Sequence, residues 1–200
     1  MTKQLVLASN NAKKAQEMQT LLAPLGLEVI PQARLGVGEA DEPFFTFIEN
    51  ALAKARHAAQ ATGLPAIADD SGLCVATLGG APGVHSARFA GEPKSDARNN
   101  QYLLEKLANL PESQRGAWYY CCLVLVRHPA DPCPLVADGQ WHGAILTAPR
   151  GAGGFGYDPL FWLPELKQSA AELAAADKNA ISHRGIAMQK LLERLQKQPL

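Results

Sequence analysis

The chain has 200 residues, 47% hydrophobic and 19% charged, which is enough apolar material for one large domain or two closely joined lobes and too much for a disordered chain. Nineteen Lys plus Arg balance nineteen Asp plus Glu, so no net field draws the protein to nucleic acid or to an anionic membrane, and an anionic ligand must be held locally. The apolar run ending at Ala8 is too brief for a signal-peptide core or a membrane span, and the expected location is the cytoplasm.

Lys3 to Ala8 reads as a strand, and Ser9-Asn10-Asn11 turns into a helix whose Met18, Leu21 and Leu22 recur at helical spacing and which Gly26 ends. Leu27 to Ile30 is extended again, followed by a glycine-containing loop from Leu35 to Pro43. Thr46 and Glu49 have capping-box spacing, and Phe47, Ile48, Ala51, Leu52, Ala55, Ala58 and Ala59 form a broad apolar helical face that Gly63 and Pro65 close. A short strand from Pro65 to Ala68 then runs into Asp69-Asp70-Ser71-Gly72, ahead of the apolar Leu73-Cys74-Val75.

Gly79 to Arg88 is a glycine-rich loop, Ser95 caps a helix through Leu107, and Trp118 to Val126 is apolar enough for a buried central strand. A strand pair around Leu135 to Leu146 precedes the segment from Arg150 to Pro159, and helices near Ala170 and Ser182 close the chain. Cys74, Cys121, Cys122 and Cys133 lack Cys-x-x-Cys spacing and read as buried free thiols.

Four segments carry residues suited to chemistry. Ser9-Asn10-Asn11-Ala12-Lys13-Lys14 offers hydroxyl, amide, ammonium and helix-start N–H donors to a polyphosphate, although taken alone it reads first as an ordinary solvated, capped helix start; it is not a Walker loop. Asp41, Glu42, Glu49, Asp69 and Asp70 supply the hard oxygen ligands that magnesium prefers, although Glu49 also suits a capping box and residues 69–72 a turn. The glycine-rich stretch ending Phe155-Gly156-Tyr157-Asp158 permits close backbone approach and presents an aromatic face to a base. Ser182-His183-Arg184, with Lys178, reads either as a helix cap with solvated side chains or as a reader of polar base edges.

In this order the segments resemble the inosine/xanthosine triphosphate pyrophosphatases, the Ham1-like family. The resemblance spans nearly the whole chain and is carried by Ser9-x-Asn11-x-x-Lys14, Thr46-Phe47-x-Glu49-Asn50-Ala51, Ala68-Asp69-Asp70-Ser71-Gly72-Leu73, Gly79-Gly80-Ala81-Pro82-Gly83, Gly154 to Pro159 and Ser182-His183-Arg184-Gly185. It implies an α/β fold, an elongated mixed β-sheet flanked by helices with two lobes and an intervening nucleotide-binding cleft, over residues 1–200 as a single domain and as a homodimer.

By the same resemblance Ser9, Asn10, Asn11, Ala12, Lys13 and Lys14 hold the polyphosphate. Asp70 is the general base and, with Asp41 or the adjacent Glu42, a magnesium ligand; Ser71 touches the substrate; and Phe155, Gly156, Tyr157, Asp158, Lys178, His183 and Arg184 shape the nucleoside pocket. The implied activity is hydrolysis of non-canonical purine triphosphates (ITP, dITP, XTP) to monophosphate and pyrophosphate with Mg2+, which keeps them out of DNA and RNA. Two other readings are a pyrophosphatase for modified pyrimidine or methylated nucleotides, and a nucleotide-binding module without hydrolysis.

Overall fold

The computed structural model describes residues 2–200, apart from the side chains of Ala12 and Lys13. In chain order the principal elements are β1 (Lys3–Leu7), α1 (Ala12–Leu22), β2 (Leu27–Pro31), α2 (Phe47–Thr62), β3 (Ala66–Val75), α3 (Asp96–Lys106), β4 (Gly116–Val126), β5 (Leu135–Ile145), β6 (Phe161–Leu163), β7 (Gln168–Ser169), α4 (Ala175–Ile181) and α5 (His183–Lys197). The strands form one seven-stranded sheet in the order β2-β1-β3-β4-β5-β6-β7, parallel at β2-β1-β3 and antiparallel at β5-β6-β7, so the expected mixed α/β architecture is present.

The chain forms two compact units. The first takes the chain up to Asp70 together with Cys122–Asp138 and Ala187–Leu200; the second takes Ser71–Cys121 and Gly139–Ile186. In the first unit Leu5 lies opposite Val29 and Val6 opposite Ala66, and Leu5, Val6 and Leu7 are fully buried, as a parallel strand covered on both faces requires. Helix α1 starts where the Asn11 side chain accepts the Lys14 N–H, and α2 where Thr46 accepts the Glu49 N–H. Ala51, Ala55, Ala58 and Ala59 are fully buried along α2, small enough to let its backbone lie close to its neighbours. The apolar face is narrower than its spacing suggests: Ile48 is exposed, and Asn50 is buried with its amide bonded to both the N–H and the C=O of Phe44, at 3.1 and 3.2 Å.

The core of the second unit gathers Leu73, Leu103, Leu107, Tyr119, Trp141 and Phe161. Arg115 is buried beside it and satisfied by three carbonyls, with Nη2 2.7 Å from Leu107 O, Nη1 3.0 Å from Leu146 O and Nε 3.2 Å from Leu110 O.

Four expectations are corrected. Residues 69–72 are no turn, because β3 runs unbroken from Ala66 to Val75 and holds both aspartates inside a strand. The pair expected from Leu135 to Leu146 is the single strand β5. Near Ala170 stands only a short 3-10 turn, Ala170–Glu172, with a capping box between Ser169 and Glu172, and the chain is extended again at Leu173 before α4 begins. Cys133 is exposed, whereas Cys74, Cys121 and Cys122 are buried, and burial pushes the Cys74 and Cys122 thiols up to about 11 and about 12, which makes them inert.

Candidate active site

Strand β3 carries Asp69 and Asp70 side by side, and successive strand residues point to opposite faces, so each carboxylate meets a different helix. Asp69, almost fully buried, accepts Lys14 Nζ of α1 through both oxygens, at 2.9 and 2.7 Å. Lys14 is delivered there by the helix start: Asn11 Oδ1 accepts its N–H at 3.2 Å, and Ser9 Oγ in turn accepts the Asn11 N–H at 3.2 Å. The first turn of α1 carries no acidic residue of its own. Asn10 turns aside to Glu39 Oε1 at 3.2 Å, while Ala12 and Lys13 have side chains outside those described.

Asp70 faces α2. Lys54 Nζ lies 3.1 Å from Asp70 Oδ1 and 2.7 Å from Glu42 Oε1, so one ammonium joins two carboxylates. Glu42 reaches this position because Asn50, one turn before Lys54 on α2, pins the neighbouring Phe44 backbone. The second oxygen of Asp70, Oδ2, is buried and, among the described residues, has no hydrogen bond of ordinary geometry, the Asn50 amide standing close enough to steady the carboxylate without forming one. Burial pushes the Asp70 carboxyl above its ordinary value; Lys54 pulls it back, and the Glu42 charge adds to the upward push. Burial likewise works against the Lys54 charge, but Asp70 and Glu42 outweigh it and hold the ammonium above its ordinary range.

In the metal-free protein Lys54→Met is therefore expected to raise the Asp70 carboxyl further, because its main counterweight is gone. An NMR titration of the carboxyl carbons checks this; a midpoint that stays in place would dissolve the coupling between the two groups.

In the second unit the glycine-rich segment is folded around Asp158. Its Oδ2 accepts the Phe155 N–H at 2.7 Å and an N–H of Lys178, and its Oδ1 accepts the Tyr119 hydroxyl at 3.4 Å. Gly154 makes this possible: its φ is +76°, and a Cβ there would stand 2.1 Å from Asp158 Oδ2. The loop presents Phe155, 60% exposed, with Lys178 Nζ 4.7 Å from the ring centroid. Tyr157 is buried and donates its hydroxyl to Ser86 O at 2.8 Å, so it anchors the loop and offers no free edge.

Ser182 caps α5, accepting the Gly185 N–H at 3.3 Å. The next residue, His183, is buried with its ring stacked on Tyr119, centroids 4.8 Å apart at 10°. Arg184 Nη2 lies 3.5 Å from Ser71 Oγ. Burial holds the Tyr119 phenol neutral, aided by the Asp158 charge, so it serves as a donor throughout the physiological range.

The candidates thus fall into an acid–ammonium cluster, comprising Lys14, Glu42, Asp69 and Asp70, and an aromatic and cationic cluster, comprising Phe155, Asp158, Lys178, His183, Arg184 and Ser71. Asp41 is exposed, one residue before the carboxylate that shares Lys54 with Asp70. Glu49 completes the start of α2 with Thr46 and stands outside both clusters. Lys54 and Tyr119 are additions that the sequence reading missed. Lys54 had one weak local signal, a cation one helical turn after Asn50 on an alanine-rich helix; Tyr119, inside an apolar strand, had none.

Among the described residues no group of three or more His, Cys, Asp or Glu side chains is placed to hold a metal ion, and no helix is long and apolar enough to cross a membrane.

The Ham1 family model matches residues 5–194. A dITP/XTP pyrophosphatase of Aromatoleum aromaticum is 70% identical over 200 residues, the whole of both chains, and one of Nitrosomonas europaea is 60% identical over 96% of this chain and 93% of its own. Of solved structures, a HAM1 protein from Coxiella burnetii has a TM-score of 0.94 at 48% identity, covering 98% of this chain and 99% of its own. The Staphylococcus aureus Ham1 protein has a TM-score of 0.90 at 38% identity over the same shares.

Proposed function

Since the chain belongs to the Ham1 family, we propose that it hydrolyses non-canonical purine nucleoside triphosphates, dITP, ITP and XTP, to monophosphate and pyrophosphate, in the cytoplasm and as a homodimer. One observation of the site carries the reading: a buried aspartate with one oxygen held by an ammonium and the other, among the described residues, without a hydrogen bond of ordinary geometry. A group so placed can take a proton from water.

In this reading Lys54 fixes Asp70 through Oδ1 and leaves Oδ2 to accept the proton of a water attacking between the α and β phosphates. Lys14 moves from Asp69 onto the phosphate oxygens, joined by the donors at the start of α1. The residues also fit a magnesium ion, which usually takes one or two carboxylates and completes its shell with phosphates and water. Asp70, through the oxygen that Lys54 leaves, and Asp41, exposed beside Glu42, would hold it. Bound there, the ion would neutralise charge on the phosphate chain. Phe155 stacks on the base, while Lys178 and Arg184 donate to the 6-keto oxygen that hypoxanthine and xanthine share and adenine lacks, and His183 helps shape that side of the pocket.

The test is release of monophosphate and pyrophosphate from ITP, XTP, GTP and ATP, with and without magnesium. Magnesium-dependent release from ITP and XTP is expected, and no pyrophosphate from either would end the proposal. Asp41→Asn should raise the magnesium concentration for half-maximal rate by about tenfold and Glu42→Gln far less; the reverse order moves the ligand to Glu42. Sedimentation equilibrium checks the dimer.

A further inference from the structure

Gly156, in the middle of the Phe155–Asp158 loop, is held from both sides by α3. Its N–H donates to Asp96 Oδ2 at 2.7 Å, and its carbonyl accepts Asn100 Nδ2 at 2.8 Å. Asp96 and Asn100 stand four residues apart and share a helix face, so the two peptide groups flanking Gly156 are read by one rigid edge. The edge is itself fixed. Ser95 caps α3 by accepting the Arg98 N–H at 3.3 Å, Arg115 binds the Leu107 carbonyl at its other end, and Asn99 ties it to the backbone of Ala87 and Ala90.

We propose that Asp96 and Asn100 are positioning residues for base recognition: by gripping both peptides of Gly156 they set where the Phe155 ring stands. This rests on the reading that the Phe155–Asp158 loop meets the base. Neither residue belongs to the motifs that the sequence singles out. Gly156 has φ +62° with open space where a Cβ would be, so its freedom serves the turn, and a turn of that kind needs outside partners to hold it still.

Asn100 supplies the argument that the grip is more than packing. Its Oδ1 is buried and, among the described residues, has no hydrogen-bond partner, an arrangement that costs stability and that a leucine of similar size would relieve. What the amide provides in return is its bond to the Gly156 carbonyl.

The experiment compares wild type with Asn100→Leu, Asp96→Ala and Asp96→Asn, reading KM and kcat for ITP, competitive inhibition by inorganic tripolyphosphate, and Tm. Asn100→Leu and Asp96→Ala should raise KM for ITP by about tenfold with kcat within about twofold, since each removes one hydrogen bond that orders the base side only. Tripolyphosphate should inhibit all variants equally. Asp96→Asn should restore most of the affinity, because its amide oxygen still accepts the Gly156 N–H, and Asn100→Leu should keep or raise Tm.

An unchanged KM in Asn100→Leu overturns the proposal, as does tripolyphosphate inhibition that weakens in step with KM. Should Asp96→Ala fail to fold, Asn100→Leu and Asp96→Asn decide it alone. A wild type that releases no pyrophosphate from ITP overturns the underlying reading and this one with it, whereas a working wild type with silent variants overturns this one only.

Discussion

Replacing Asp70 with asparagine is expected to lower kcat by about 10³-fold, within the range that a positioned general base contributes, while the protein stays folded. The amide matches the carboxylate in shape but can neither take the proton nor balance Lys54. Removing a buried, half-satisfied charge offsets part of the lost ion pair, so the stability change should be small beside the catalytic one. Pyrophosphate release and a thermal melt on the same preparation check both halves. Wild-type turnover in a folded variant would remove Asp70 from the chemistry, and an unfolded variant would make it a structural residue first.

The second large effect is expected at Gly185. A Cβ there would stand 1.9 Å from the carbonyl oxygen of Asn179, a backbone atom of α4 that no rotamer change can move. Gly185→Ala must therefore push α5 away from α4 and carry His183 and Arg184 with it. A clash of this kind costs about 3 kcal/mol or more, which corresponds to a Tm lower by roughly 6–12 °C in a chain of this size. KM for ITP should rise by about tenfold or more, because the start of α5 sets His183 against Tyr119. A melt and a KM that both match wild type would mean that the turn between α4 and α5 yields without cost.

Local signals in the sequence agree with the structure where the physics is local. Asn11, Thr46, Ser95 and Ser182 all cap helices because a short polar side chain can reach an N–H within the next three residues, wherever the rest of the chain goes. Asp69-Asp70 reads as a turn because two carboxylates seldom enter a buried strand. They do so here because Lys14 lies 55 residues upstream of Asp69, and Lys54 lies 16 residues before Asp70 on another element. No window along the chain contains both members of the Lys14 pair. The same holds for Tyr119, which meets Asp158 and His183 only after folding, and for Asp96 and Asn100, whose partner Gly156 is more than fifty residues away. Motif order was informative because it reports on such long-range sets indirectly.

The glycine-rich segment has a consequence for how the protein meets its ligand. Its Gly151, Gly154 and Gly156 all have positive φ, yet the loop is tied down by Asp158 on the Phe155 N–H, by α3 on Gly156, by Ser169 on the Arg150 carbonyl and by Ala171 on the Gly153 N–H. The chain entropy that glycine carries in the unfolded state is thus surrendered during folding, before any nucleotide arrives. Titration calorimetry should accordingly find little loop-ordering entropy on association, and the amides of this segment should resist hydrogen–deuterium exchange in the free protein nearly as well as in the liganded one.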